Sequence, residues 1–210
     1  MKNNSMADTK LTKSAAHLNE MDTNLFLSPQ DFTGPSRPII FLDVDGCLNR
    51  QPIHPRKNRE WVSVRPLSGY WVDIDHAVVG TLDALLKEFR VEFNWLTTWG
   101  RDVAYLEDLF RGKLRGGFVA AARPVGKFVA MDWKLNAVLA HLANRGGGAP
   151  YIWVDDEAIS SANLSNSDFE AGRGVGGELR LLIEPVRDTG LTHEHIANMR
   201  VFLELHAARQ

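Results

Sequence analysis

The 210-residue chain holds a single cysteine, Cys47. Without a second thiol no disulfide forms within it, and a zinc site built from cysteines is excluded. Long hydrophobic runs are also missing: none approaches the roughly 20 apolar residues that span a bilayer. The opening MKNNSMADTK lacks the apolar centre of a secretory signal. Neither charge sign dominates, with 24 Lys+Arg against 26 Asp+Glu and a formal net charge of −2. Composition therefore carries no global basic signature for nucleic acid or membrane. The 17 Gly and 9 Pro follow no period, which excludes collagen-like and low-complexity architectures. What is present, 44% hydrophobic and 24% charged residues, is ordinary core-forming material. The length is about 1.4 times a ~150-residue domain, so one domain with a tail or insert is expected. The chain reads as soluble and cytoplasmic, with no membrane partner and no oligomeric state assigned.

Residues 1–36 are polar, hold only Phe26 and Phe32 as aromatics, and end at Gly34-Pro35-Ser36. They read as a flexible N-terminal tail, with a short amphipathic helix over 11–27 as the alternative. From Pro38 the pattern changes. The run Pro38-Ile39-Ile40-Phe41-Leu42 has no helical spacing and reads as a buried strand. Residues 48–75 form a Pro-rich insert whose alternation at Trp61–Val64 and Tyr70–Val72 suggests a hairpin around Pro66–Gly69. Val78, Leu82, Leu85 and Phe89 mark one helical face. Val91–Leu96 reads as a second strand. Val103, Leu106 and Leu109 predict a helix, followed by a Gly-rich stretch to Gly126. Met131, Leu135, Val138 and Leu142 predict the next helix, closed by Gly146–Gly148. Tyr151–Val154 and Leu179–Ile183 read as further strands, and Ile196, Met199 and Leu203 lie on a terminal helix. Alternating strands and helices imply a Rossmann-like α/β fold with a mostly parallel sheet and helices on both faces. In such sheets ligands sit beyond the carboxyl ends of the strands.

Chemistry-bearing residues collect there. Asp43 and Asp45 follow the first strand in FLDVDGCLN, and the period of two lets both emerge on one side. Paired carboxylates repel unless a cation or proton intervenes, although a solvated acidic turn has the same pattern. An EF-hand loop fails, because Gly46 does not fall where the loop glycine belongs and His54 stands in the place of the bidentate Glu. The second strand ends in Thr97-Thr98, whose hydroxyls can donate to a phosphoryl oxygen or simply close a strand. The third ends in Asp155-Asp156-Glu157, which also suits a helix N-terminus. Lys134 stands on the helix before it, a position where surface charge is common.

Taken together, D-x-D, Thr, Lys and D-D in this order resemble the haloacid dehalogenase (HAD) superfamily of phosphotransferases across roughly residues 38–185. At finer grain, LDVDGCLN, WLTTWG, WVDDE and DTGLT at Asp188–Thr192 are similar to the HAD domain of Swiss Army Knife RNA repair proteins. The resemblance implies Asp43 as nucleophile and Asp45 as general acid and base. It implies Thr97 and Lys134 on the transferring phosphoryl group. Mg²⁺ would be held by Asp43, Asp45 (through its carbonyl), Asp155 and Asp156. Thr98 stands in for Thr97 if the register slips, Lys127 for Lys134, and the roles of Asp155 and Asp156 stay open. Gly46, Thr98, Arg56 and Arg101 are the expected substrate contacts. Since the superfamily's dehalogenases lack the second Asp, the resemblance implies a phosphatase.

The insert is too short for a large cap domain, which implies a minimal flap and favours macromolecular phosphate ends. Arg50, Arg56, Lys57, Arg59 and Arg65 lie in the flap, and Arg111, Lys113, Arg115, Arg123 and Lys127 in a stretch free of acids. These could meet backbone phosphates, with Trp61, Tyr70 or Trp71 stacking on bases. Solvated loops and core aromatics would look the same. The expected substrate is a phosphorylated partner, RNA or DNA ends foremost. The alternatives are a capless protein phosphatase, a small-molecule phosphatase and a non-catalytic binding domain. No Walker A loop occurs, which argues against an ATP-dependent kinase. Gly172–Gly177 matches G-x-G-x-x-G but precedes a strand, and reads as a loop. His193 and His195 do not share a helical face, which argues against a metal pair. Cys47 reads as a small buried residue.

Overall fold

Ile39–Leu42 contains no polar side chain, and as β1 it runs through the centre of the molecule with every residue fully buried. The computed structural model describes residues 37–51, 59–65, 68–119, 133–146, 148–159 and 180–208, all within the unit Ser36–Gln210. The expected tail, Arg56, Lys57, Arg123, Lys127, Met131 and the Gly172–Gly177 loop lie outside the described residues. After β1 come β2 (Arg59–Arg65), β3 (Ser68–Asp73), α1 (His76–Glu88), β4 (Glu92–Trp95) and a 3-10 turn at Gly100–Asp102. There follow α2 (Val103–Leu109), β5 (Gly117–Phe118), α3 (Trp133–Asn144), β6 (Tyr151–Val154), β7 (Arg180–Ile183) and α4 (His193–Ala207).

The main sheet has the order β5-β4-β1-β6-β7, and every pairing in it is parallel. Strand order reverses at β1, which places a crevice at the carboxyl ends of β1, β4 and β6. Alternation along β1 splits the core in two. Ile40 and Leu42 pack with Leu82 of α1, Leu106 of α2 and Met199 of α4. Ile39 and Phe41 pack with Leu135, Val138 and Leu142 of α3. Helices therefore cover both faces, as the alternating pattern predicts. Among the described residues no helix is long and apolar enough to cross a membrane.

The insert is the expected hairpin, β2 pairing antiparallel with β3 in a separate two-stranded sheet. Two differences emerge. The Gly-rich stretch after α2 contains β5, a two-residue edge strand paired with β4. Arg50, grouped with the phosphate-facing bases, instead turns inward to the carboxylate of Asp73, which is 1% exposed. A buried carboxylate needs such a partner, so Arg50 is committed to fixing the hairpin to the β1 loop.

Candidate active site

Beyond Leu42 the backbone continues toward β6, with Asp43 N–H donating to Val154 O at 3.0 Å. The chain then turns. Val44 N–H donates to Asp43 Oδ1 at 2.7 Å, and Leu48 and Asn49 donate to Val44 O at 2.9 and 2.8 Å. Gly46 makes the turn at φ +76, and a Cβ there would stand 2.6 Å from Asp156 Oδ2. Its N–H donates to Asn49 O at 2.8 Å, so this expected substrate contact is occupied in shaping the loop. Val44, Cys47 and Leu48 bury their side chains and anchor the turn. Burial pushes the Cys47 thiol well up, which leaves it an inert core residue.

The DTGLT segment supports this turn from behind. Leu191 N–H donates to Cys47 O at 2.8 Å, and a Cβ on Gly190 would stand 2.5 Å from the same oxygen. Thr192 then caps α4 in a capping box whose third helical residue is His195. That capping bond gives His195 its place.

Asp43 and Asp155 converge on Lys134. Lys134 Nζ lies 2.6 Å from Asp43 Oδ2 and 2.7 Å from Asp155 Oδ2, from the first turn of α3. Asp155 is fully buried and Asp43 is 5% exposed. Thr97 also favours the charged form of the Asp43 carboxylate. Thr97 is buried whereas Thr98 is exposed. One ammonium faces two carboxylates. Burial therefore pushes the Asp43 carboxyl up, and burial with the Asp43 charge pushes Asp155 up to about 7. Burial alone would lower the Lys134 ammonium, but the two carboxylates raise it and keep it charged.

Asp156 completes a trio with Asp43 and Asp155, one oxygen from each lying within 4.8 Å of the others. Its carboxylate is ion-paired with Arg187, a partner that sequence reasoning missed. Three hard oxygens at this spacing suit Mg²⁺. Charge points the same way: Asp43, Asp155 and Asp156 face Lys134 and Arg187, a negative surplus that favours a cation.

Asp45 stands apart from the trio. Its Oδ1 accepts from Asn49 Nδ2 at 2.7 Å and Gln51 Nε2 at 3.3 Å, and its Oδ2 from Trp99 Nε1 at 2.8 Å. None of these three donors was singled out as a site residue, although Trp99 stands in the quoted WLTTWG. Arg101 lies in the 3-10 turn after β4. Arg56 lies outside the described residues, as does the side chain of Arg101.

The family model of the HAD domain in Swiss Army Knife RNA repair proteins matches residues 39–196. The chain belongs to this family. No curated protein and no solved structure gives a significant match. HAD domains are generally hydrolases, and the buried Asp trio of this one is compatible with a divalent cation.

Proposed function

We propose that this HAD domain is a Mg²⁺-dependent phosphomonoester hydrolase that works through a phosphoaspartate on Asp43, with RNA or DNA ends as its substrates. The observation that carries the reading is the pairing of buried Asp43 with Lys134 while Asp45 is held apart on its own donors. Two carboxylates in different environments suit two different tasks.

Asp43 attacks phosphorus, and the bond from phosphorus to the leaving oxygen breaks as that oxygen takes a proton from Asp45. Water then attacks the phosphoaspartate and gives a proton to Asp45, freeing inorganic phosphate and restoring the Asp43 carboxylate. Lys134 and Thr97 hold the phosphoryl oxygens through both steps. Mg²⁺ held by Asp43, Asp155, Asp156 and the Asp45 carbonyl would draw charge from those oxygens.

For the substrate, support comes from the family description, which names RNA repair, and from the small size of the hairpin insert. The exposed Lys113 and Arg115 add basic surface elsewhere on the chain.

The test is phosphate release from oligonucleotides bearing 3′- or 5′-phosphates, set against phosphopeptides and small phosphate esters. Mg²⁺-dependent release from oligonucleotides is expected, and it should vanish in Asp43→Asn with the circular dichroism spectrum unchanged. Faster turnover of peptides would reject the nucleic-acid substrate. Full activity in Asp43→Asn would reject the mechanism.

A further inference from the structure

A second concavity lies at the opposite end of the sheet. Arg37 precedes β1 and Arg90 precedes β4, so both stand at the amino-terminal ends of strands whose carboxyl ends lead to Asp43 and Thr97. Arg37 and Asp43 are separated by about 20 Å of extended chain. Between the last turn of α1 and the loop from α2 to β5 is a groove of about 360 Å³. Arg37, Lys87, Arg90 and Arg115 line it, with the half-buried Val91 among its apolar residues.

Four cations there face one carboxylate, Asp83, which is already committed. Asp83 Oδ2 accepts from Lys87 Nζ at 2.7 Å and its Oδ1 from Leu114 N–H at 3.2 Å. Lys87 also answers the negative end of the α1 dipole. Arg37, Arg90 and Arg115 have no carboxylate partner among the described residues. Backbone conformation marks the same place. Among the described residues, positive φ outside glycine occurs at Arg90, Arg111 and Leu114, at 51, 53 and 49°. Arg90 and Leu114 line the groove, and Arg111 adjoins Gly112, which also lines it. Glycine would adopt these turns without strain; basic side chains stand at two of the three.

We propose that this groove binds the phosphodiester backbone of a nucleic-acid strand, as a site separate from the carboxylate cluster. Guanidinium forks match phosphate oxygens two at a time, and unpaired arginines avoid breaking an existing ion pair on binding.

The experiment measures binding of a fluorescent, unphosphorylated 12-nucleotide RNA by polarisation across a salt series. It compares the full chain with a variant carrying Arg37→Gln, Arg90→Asn and Arg115→Gln. Asparagine is chosen because it tolerates the left-handed backbone. The variant should bind about tenfold or more weakly, with a log–log salt slope flatter by about 2. Its thermal midpoint and its turnover of a small aryl phosphate should match the unsubstituted chain. Equal affinity and slope in the two proteins would overturn the proposal. So would failure of the unsubstituted chain to bind RNA, including the case in which an acidic phosphopeptide binds instead. The probe has no phosphate monoester, so binding and the hydrolysis proposed at Asp43 succeed or fail separately.

Discussion

Trp99 reaches two neighbours at the site through different atoms: its indole N–H lies 2.8 Å from Asp45 Oδ2 and its backbone N–H 3.4 Å from Thr97 Oγ1. Only the indole bond can be removed by substitution. In Trp99→Phe, Asp45 keeps Asn49 and Gln51 on Oδ1 but loses the donor that fixes Oδ2. A lost hydrogen bond of this kind costs about 1 kcal/mol of stability, too little to unfold a domain. The effect on chemistry should be larger and selective. General acid catalysis contributes about a hundredfold to ten-thousandfold where the leaving group needs a proton. Alkyl phosphates should therefore lose about tenfold or more in kcat, while aryl phosphates with good leaving groups change little. Steady-state kinetics on one ester of each type decides the matter. An equal loss on both would mean that Trp99 does not act through Asp45.

Helix α3 carries Lys134 on its first turn, so whatever seats α3 also places the ammonium. One face is packed along its length through Leu135, Val138 and Leu142. Its carboxyl end is tied to β4, where Glu92 meets His141 Nε2 at 3.0 Å and Arg145 Nη1 at 2.6 Å. Burial would raise the Glu92 carboxyl, but hydrogen bonds from His141 and Asn94 and the Arg145 charge outweigh it and hold it below 4.5. A depressed carboxyl stabilises the fold above its unfolded pKa, and that contribution is lost as pH falls through the lower folded value. Glu92→Gln should cost up to about 1 kcal/mol at neutral pH. The difference in thermal midpoint should shrink as pH falls below the ordinary glutamate value. A pH-independent difference would show that the carboxylate charge is not what matters. Elements of this size were legible in the sequence because each buries a face: Val78, Leu82 and Leu85 repeat with the turn of α1, and Ile39–Leu42 has no polar face at all. Strand β5 was not, since Gly117–Phe118 is too short to show alternation and exists through pairing with the edge of β4. The same limit applied within the site. Asp43, Thr97 and Asp155 announce themselves by following apolar strands. Asn49 and Gln51 reach Asp45 only once the turn after β1 folds back on itself, and Arg187 acquires its partner only when separate loops meet.

The near-neutral net charge of −2 conceals a separation, with the carboxylate trio at one end of the sheet and, at the other, arginines that have no carboxylate partner among the described residues. The acidic end bears directly on stability. With Asp155 pushed up to about 7 by burial and by Asp43, the folded cluster carries a repulsion that the unfolded chain does not. A dication that binds only the folded cluster stabilises by mass action, about 2.7 kcal/mol at a concentration one hundred times Kd. For a domain of this size that corresponds to about 5–10 °C in Tm. Thermal melts in Mg²⁺ and in EDTA should therefore differ by several degrees. Asp156→Asn should lose most of the difference by weakening one ligand of the trio. The ion pair between Asp156 and Arg187 is a poor alternative explanation, because the Arg187 side chain is 60% exposed and screened by water. If Asp156→Asn kept the full Mg²⁺ shift, the ion would be bound elsewhere, and the trio would be an acidic cluster rather than a metal site.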